Sequence, residues 1–407
     1  MKNLLIAQSG GPTSAINATV AGIVEKAFVS NKVDKIYGAV YGIKGVIDEN
    51  FVELQDTLSS TYNLNLLCRT PSAALGSCRF KLKCYEEDIP TYKKIVDIFK
   101  KHNIGYFIYI GGNDSMDTVA KLSRYIRENN IDDITVMGAP KTIDNDLCET
   151  DHCPGFGSAA KYIATTFAEV RRDCESYNIP AVTVVEVMGR NAGWLTASSA
   201  LARVNGEAGP QLIYLCERPF SVDEFIADVK KQLETTNTVI VAVSEGIKDK
   251  DGHYIGEFGV NICHDSFGHA QLGGVANYLK AILISEIKCK VRAIELSLMQ
   301  RCASHIASET DITESKLLGV AAATEVLNGT SGKMVGVDRV SQNPYKIKIS
   351  AKDIDKVANF EKKVPDEWIN ESGNDVKQEL IDYIYPLIQG EVYQKFVNGI
   401  PEFMKLK

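Results

Sequence analysis

The sequence predicts an α/β protein built on parallel sheets and divided into two lobes. Three observations carry that expectation. The chain runs to 407 residues, too long for one small core and comfortable for two domains of roughly 100–200 residues each. Apolar residues make up 45% and charged residues 24%, a globular balance that excludes disordered, collagen-like and disulfide-stapled chains. A short apolar or β-branched run, a glycine-containing turn and an amphipathic stretch of helical period then recur in that order, as a parallel sheet with crossover helices requires.

Residues 4–8 read as the first strand, leading through Ser9-Gly10-Gly11-Pro12 into a helix from about 14 to 28. Residues 106–110 repeat the pattern, passing through Gly111-Gly112-Asn113-Asp114 into a helix that reaches 125, and residues 134–137 form the next strand. Ala181–Val187 is a strand that opens through residues 188–193 into a small-residue helix ending near 202. A strand at 212–216, a helix Val222–Leu233 and a strand at 239–243 ending in Ser244-Glu245-Gly246 continue the series. Past Asp338 the text turns Lys- and Asn-rich, with one more helix expected near 375–387.

Lys plus Arg number 45 against 52 Asp plus Glu, a net charge of −7. A dispersed basic surface for nucleic acid is therefore not expected, and an anionic ligand has to meet a local cationic pocket. Ten cysteines occur without a Cys-x-x-Cys pair, which points to a reducing compartment rather than a disulfide framework or zinc ribbon. The apolar run at residues 4–7 breaks at Gln8 and no stretch of about 20 apolar residues follows. Neither a signal peptide nor a membrane span is expected, and a cytoplasmic protein is predicted.

Ligands of open α/β sheets bind where strands end and loops gather, and every unusual polar cluster here lies at such an end. Ser9-Gly10-Gly11-Pro12 joins strand to helix, where a bare backbone and free N–H groups can face an anion, although a tight turn alone also uses glycine. Gly111-Gly112-Asn113-Asp114-Ser115 adds a carboxylate, which by itself reads first as a helix N-cap. Pro140-Lys141-Thr142-Ile143-Asp144-Asn145-Asp146 ends the very next strand, and a cap does not call for its lysine and two further acids. A carboxylate that accepts a hydroxyl proton, cations or Mg²⁺ on a moving phosphoryl group and glycine loops around its oxygens make up phosphoryl-transfer chemistry.

Three other patterns are discounted. Gly155-Phe156-Gly157-Ser158-Ala159-Ala160 spells a dinucleotide fingerprint, but Pro154 and a polar stretch precede it where a strand is needed. Gly329-Thr330-Ser331-Gly332-Lys333 resembles a Walker loop, yet Leu327 and Met334 fill two of its defining places. Cys148, His152 and Cys153 lack a fourth ligand at zinc spacing.

Taken together, the motifs resemble the phosphofructokinase family, and within it the pyrophosphate-dependent enzymes. The resemblance covers about residues 4–339 and rests on Ser9-Gly10-Gly11, Leu75-Gly76-Ser77-Cys78-Arg79, Gly111 to Ser115, Pro140 to Asp146, Val185 to Leu195, Ser244-Glu245-Gly246 and Gln300-Arg301. It implies two Rossmann-like lobes with mainly parallel sheets, the phosphofructokinase fold. The donor lobe would be residues 1–155 completed by about 300–345, the sugar-phosphate lobe 156–299, and 346–407 a C-terminal extension. It implies Mg²⁺-dependent, reversible phosphoryl transfer between pyrophosphate and the C1 oxygen of fructose 6-phosphate, in a homodimer or homotetramer.

Roles follow from the resemblance position by position. Asp144 would be the base, with Thr142 and Ile143 beside it at the reacting end of the sugar, and Asp146 with Asn113 would hold the metal. Gly10, Gly11, Arg79 and Lys141 would hold the donor. Met188, Gly189, Arg190, Glu245 and Arg301 would form the sugar-phosphate site, with Arg190 also near the migrating group. Leu298 stands where relatives have a His or Tyr beside the sugar, and Arg292 resembles an arginine given by a neighbouring subunit.

ATP-using relatives carry glycine in place of Asp114 and Lys141. A carboxylate at 114 would meet the α-phosphate of ATP, and two like charges about 4 Å apart repel by about 1 kcal/mol even in water. Pyrophosphate is therefore the expected donor. Asn113, in place of an acid, is a weaker ligand for a hard cation. Ala181 and Leu298 depart from the family at the sugar's far end, leaving sedoheptulose 7-phosphate open as acceptor. Ala21 and Glu25 replace effector-binding arginines, so nucleotide regulation is not expected. An ATP-dependent phosphofructokinase and a catalytically silent subunit are the rival readings.

Overall fold

The computed structural model describes residues 1–258, 263–264, 270–271 and 274–407. In chain order the strands are β1 (Lys2–Gln8), β2 (Val33–Ala39), β3 (Phe51–Glu53), β4 (Ile104–Gly111), β5 (Thr135–Pro140), β6 (Ala181–Val187), β7 (Leu212–Tyr214), β8 (Thr238–Ser244), the short pair β9 (Cys263–His264) and β10 (Ala270–Gln271), β11 (Lys290–Glu295), β12 (Lys333–Ser341), β13 (Lys346–Asp353) and a second short pair, β14 (Phe396–Val397) and β15 (Ile400–Pro401). A seven-stranded sheet runs β13-β12-β5-β4-β1-β2-β3, parallel except at its two edges, where β3 and β13 pair antiparallel. A four-stranded sheet runs β11-β6-β8-β7 and is parallel throughout.

The central strands are covered on both faces, and their sequences show it. β6 and β8 are buried at every residue, as continuous Val- and Ile-rich runs in a sheet flanked by helices should be. In the first lobe Leu4, Ile6, Ile108 and Ile110 face helices Ile16–Phe28 and Glu309–Leu327. Their neighbours Leu5, Ala7, Phe107 and Tyr109 face helices Ile89–Lys101 and Asn113–Glu128 on the other side. Helices Ile16–Phe28 and Glu309–Leu327 touch along their backbones. A Cβ on Gly22 would lie 2.0 Å from the Lys316 carbonyl oxygen, and one on Gly319 would lie 2.1 Å from that of Thr19.

Expected elements are displaced in three places, each for a local reason. The small-residue helix is Trp194–Ala197 followed by a 3₁₀ stretch Ser198–Arg203. There the Ser198 and Ser199 hydroxyls donate to carbonyls three residues back and tighten the turn. The helix expected at 375–387 is Gln378–Ile384, continued as a 3₁₀ turn containing Pro386, whose ring removes an α-helical donor. The strand expected at 212–216 stops at Tyr214.

The chain after 345 is not an appendage. β13 is the edge of the first sheet, joined to β12 over eight residue pairs. Val364, Ile369, Val376, Leu380, Ile384 and Leu387 then pack into the second lobe with Phe156 and Trp194. Leu406 returns to the first lobe's core. The residues expected as a C-terminal extension, 346–407, thus contribute to both cores. No helix among the described residues is long and apolar enough to cross a membrane.

Candidate active site

The carboxyl ends of β1, β4 and β5 in one sheet and of β6 in the other open on one cavity of about 590 Å³. Its wall includes Gly10, Gly11, Arg79, Asn113, Asp114, Lys141, Thr142, Ile143, Asp144, Asp146, Met188, Arg190 and Arg301. Residues as far apart in the chain as Ser9 and Glu361 therefore meet in one cleft, with four cations set among the acids.

The glycines after β1 leave room for those cations. Gly10 has φ +75°, and a Cβ there would lie 3.0 Å from Lys141 Nζ; one on Gly11 would lie 3.1 Å from Arg301 Nη1. Lys141 is fully enclosed, and its ammonium donates to the Gly11 carbonyl oxygen at 2.6 Å. Burial pulls that ammonium down to about 8, with Asp144 pulling the other way. Burial likewise depresses the Arg301 guanidinium, and the nearby Arg79 adds to the effect.

The loop after β5 is turned by Asn145, which has φ +54°. Its amide donates to the Tyr383 hydroxyl at 3.0 Å and accepts from the Cys153 backbone N–H at 3.0 Å. Between them these bonds hold the two flanking acids. The Asp144 N–H donates to the Thr142 hydroxyl at 3.1 Å. Burial pushes the Asp144 carboxyl up to about 7, with Asp146 and Glu245 adding to it and Lys141 and Arg190 opposing. Burial also raises Asp146, whose Oδ1 has no hydrogen-bond partner among the described residues.

Asp114 is not the cap of its helix. Gly112 holds that position without a side-chain bond, and Asp114 lies in the first turn, its carboxylate 3.6 Å from Lys81 Nζ. Asn113 is engaged on both sides of its amide, with Nδ2 donating to the Phe360 carbonyl at 2.6 Å and Oδ1 accepting from the Asn359 N–H at 2.5 Å.

Four of the expected residues do not line this cavity. Glu245 stands behind it, raised by burial, and accepts from the Gly189 N–H at 3.1 Å, so both support the Met188–Arg190 turn from outside the wall. Gly189 has φ +130°. Arg292 lies on β11 with Nη1 3.9 Å from Cys174 Sγ, and Leu298 is 56% exposed. Conversely, Asn191, Asn359, Phe360 and Glu361 complete the wall, and nothing in the sequence around 359–361 signals it: the segment lies 58 residues past Arg301 in text without a motif.

The discounted patterns have structural occupants. The N-terminus of helix Phe156–Glu175 is taken by Asp311, which accepts from the Gly155 and Ser158 N–H groups at 2.9 and 3.0 Å. His152 is clamped between Asp151 at 2.8 Å and Glu314 at 2.6 Å. No cluster of three or more His, Cys, Asp or Glu side chains suited to a metal occurs among the described residues. Among the acids in the wall, Asp146, with a buried oxygen that has no hydrogen-bond partner among the described residues, could hold a hard cation.

The phosphofructokinase family matches residues 3–326 of the chain. A pyrophosphate–fructose 6-phosphate 1-phosphotransferase of Xanthomonas campestris pv. campestris is 40% identical, over all of this chain and 96% of that protein. A sulfofructose kinase of Alkalicoccus urumqiensis is 31% identical over 90% of this chain and 91% of its own length. Among solved structures, a pyrophosphate-dependent phosphofructokinase from Nitrosospira multiformis superposes with a TM-score of 0.90 at 36% identity, covering 100% of this chain and 96% of that one.

Proposed function

The chain belongs to the phosphofructokinase family, and from that premise we propose that it transfers a phosphoryl group reversibly from pyrophosphate to the C1 hydroxyl of fructose 6-phosphate. The products are fructose 1,6-bisphosphate and phosphate. The observation that carries this reading is the enclosed Lys141 ammonium, held on the Gly11 carbonyl beside Asp144 at the meeting of the two sheets.

Donor oxygens rest on the Gly10-Gly11 backbone, Arg79 and Lys141, in the lobe of the seven-stranded sheet. The sugar phosphate lies across the cleft against Arg190 and Arg301, with Glu245 and Gly189 shaping the turn behind. Asp144 takes the C1 hydroxyl proton, and a carboxyl held near pH 7 is well matched to that task. Lys141 and Arg190 stabilise the charge on the phosphoryl group as it moves. Asp146, with its unpartnered buried oxygen, fits a residue that holds Mg²⁺. The chemistry such an ion supplies is neutralisation of charge on the donor oxygens.

Asp114 stands in the cavity wall as a fixed negative charge on the donor side, which disfavours a third phosphate and so favours pyrophosphate over ATP. Arg292, which lines no part of the cavity, suits a contact with a second subunit in a cytoplasmic homodimer or homotetramer. The test is fructose 1,6-bisphosphate formation by purified protein with Mg²⁺ and fructose 6-phosphate, with pyrophosphate and ATP side by side. Turnover with pyrophosphate alone is expected. Turnover with ATP would sink the donor assignment, and none with either would leave a silent subunit or another acceptor.

A further inference from the structure

Residues 359–364 cross the cleft as a strap tied to both lobes. On the donor side, Asn113 bonds Asn359 and Phe360, the Asn359 amide donates to Asp117 Oδ1 at 3.0 Å, and the Lys362 N–H donates to the Asp146 carbonyl at 2.7 Å. The enclosed Lys362 ammonium donates to the Thr150 and Asp151 carbonyls at 3.0 and 2.7 Å. On the sugar side, Asn191 donates to Glu361 Oε1 at 2.8 Å, Trp194 Nε1 donates to the Lys362 carbonyl at 3.0 Å, and Glu217 accepts from both Gly193 and Val364. Little of this serves packing at the strap's crown, since Phe360 is 55% exposed although it lines the cavity.

Charge is distributed unevenly across the cavity. Arg79, Lys141, Arg190 and Arg301 gather around the glycine loop and Asp144, while the strap's side carries Glu361 and Asp114 in the wall, Asp114 paired with Lys81 at 3.6 Å, and Asp117 behind, paired with Lys121 at 2.6 Å. A donor laid on Gly10 and Gly11 that continued past Asp114 would meet the strap at Asn359 and Phe360 and the Glu361 carboxylate. Backbone held by hydrogen bonds at both ends does not yield as a lone side chain does.

We propose that residues 359–362 form a donor-length strap, which closes the cleft beyond the second phosphate, and that Asn113 is its tether rather than a metal ligand. This rests on the donor reading above and deepens it. Asn113 is a positioning residue, acting on the donor through the strap. An aspartate there would keep the acceptor for the Asn359 N–H but lose the donor to the Phe360 carbonyl, so the family's acid and this strap are incompatible on one side chain.

Calorimetric titration of the full-length protein with pyrophosphate and with inorganic tripolyphosphate, in Mg²⁺ and without sugar, tests the strap by binding alone. The unaltered protein is expected to prefer pyrophosphate at least tenfold, and Phe360→Gly and Asn113→Ala to reduce that preference about tenfold. A preference that stays put in both variants, or one near unity in the unaltered protein, overturns the strap, and binding of neither polyphosphate overturns strap and donor reading together. Asn113→Asp separates tether from ligand: the tether predicts a reduced preference, whereas an unchanged preference with tighter Mg²⁺ binding refutes it. Amide hydrogen exchange at residues 359–362 should quicken in Asn113→Ala without any ligand, and unchanged protection counts against the tether. Lack of turnover with pyrophosphate in a protein that still shows the binding preference would sink the proposed reaction and leave the strap standing.

Discussion

Asp144 and Lys141 share one enclosure and are driven toward each other's range by it, the acid up to about 7 and the ammonium down to about 8. The reaction needs the first deprotonated and the second protonated. A profile of kcat/KM with pyrophosphate should therefore fall below about pH 7 and again above about pH 8; a flat profile from 6 to 9 would contradict the assignment. Asp144→Asn keeps the shape and removes the proton acceptor, with an expected loss in kcat of about 10²–10⁴-fold and little change in KM. Asp114→Gly should raise ATP turnover relative to pyrophosphate, and a variant whose discrimination matched the unaltered protein would remove the charge argument. Most of these residues are legible in the sequence because their motifs are short, glycine-rich and placed at strand ends. Asn113 is legible as an anomaly, but its partners lie some 246 residues on, and only contact discloses them.

Among the elements, strands with near-continuous apolar text are the most legible, since burial on both faces leaves one periodicity and a clear end. Helices were less so where side chains compete with the backbone, as at Ser198 and Ser199, and the antiparallel β12–β13 pair sits in Lys-rich text because β13 is an exposed edge. The contact between helices Ile16–Phe28 and Glu309–Leu327 has no sequence signal beyond two glycines 297 residues apart. Gly319→Ala would push a methyl group into the Thr19 carbonyl and should cost about 1–3 kcal/mol. The check is a lowered urea midpoint at unchanged slope; an unaltered midpoint would mean that the helices slide apart freely.

Across the whole molecule, segments far apart in the chain are bound by buried charge as well as by shared core. His152 bridges Asp151 and Glu314, and Asp151 also receives Arg339 at 2.9 Å. Burial pulls the imidazole down, but its two carboxylate bonds outweigh that and hold it above its ordinary value. Its unfolded value is about 6.5, so its contribution to stability is complete below that pH and is lost as pH rises through the folded value. Stability to urea should therefore decline with rising pH on the alkaline side of about 6.5, and His152→Phe should flatten that decline; a variant with the same slope would place the pH dependence elsewhere. Sequence alone determined the α/β class, the order of the first glycine and acid motifs, and the expectation of pyrophosphate, because each rests on residues adjacent in the chain. Tertiary structure alone decided that residues 346–407 divide between two cores, that Arg292 and Leu298 stand off the cavity, and that residues 359–361 finish its wall. Those outcomes depend on packing and hydrogen bonds between groups far apart in the chain, which no local pattern of side chains records.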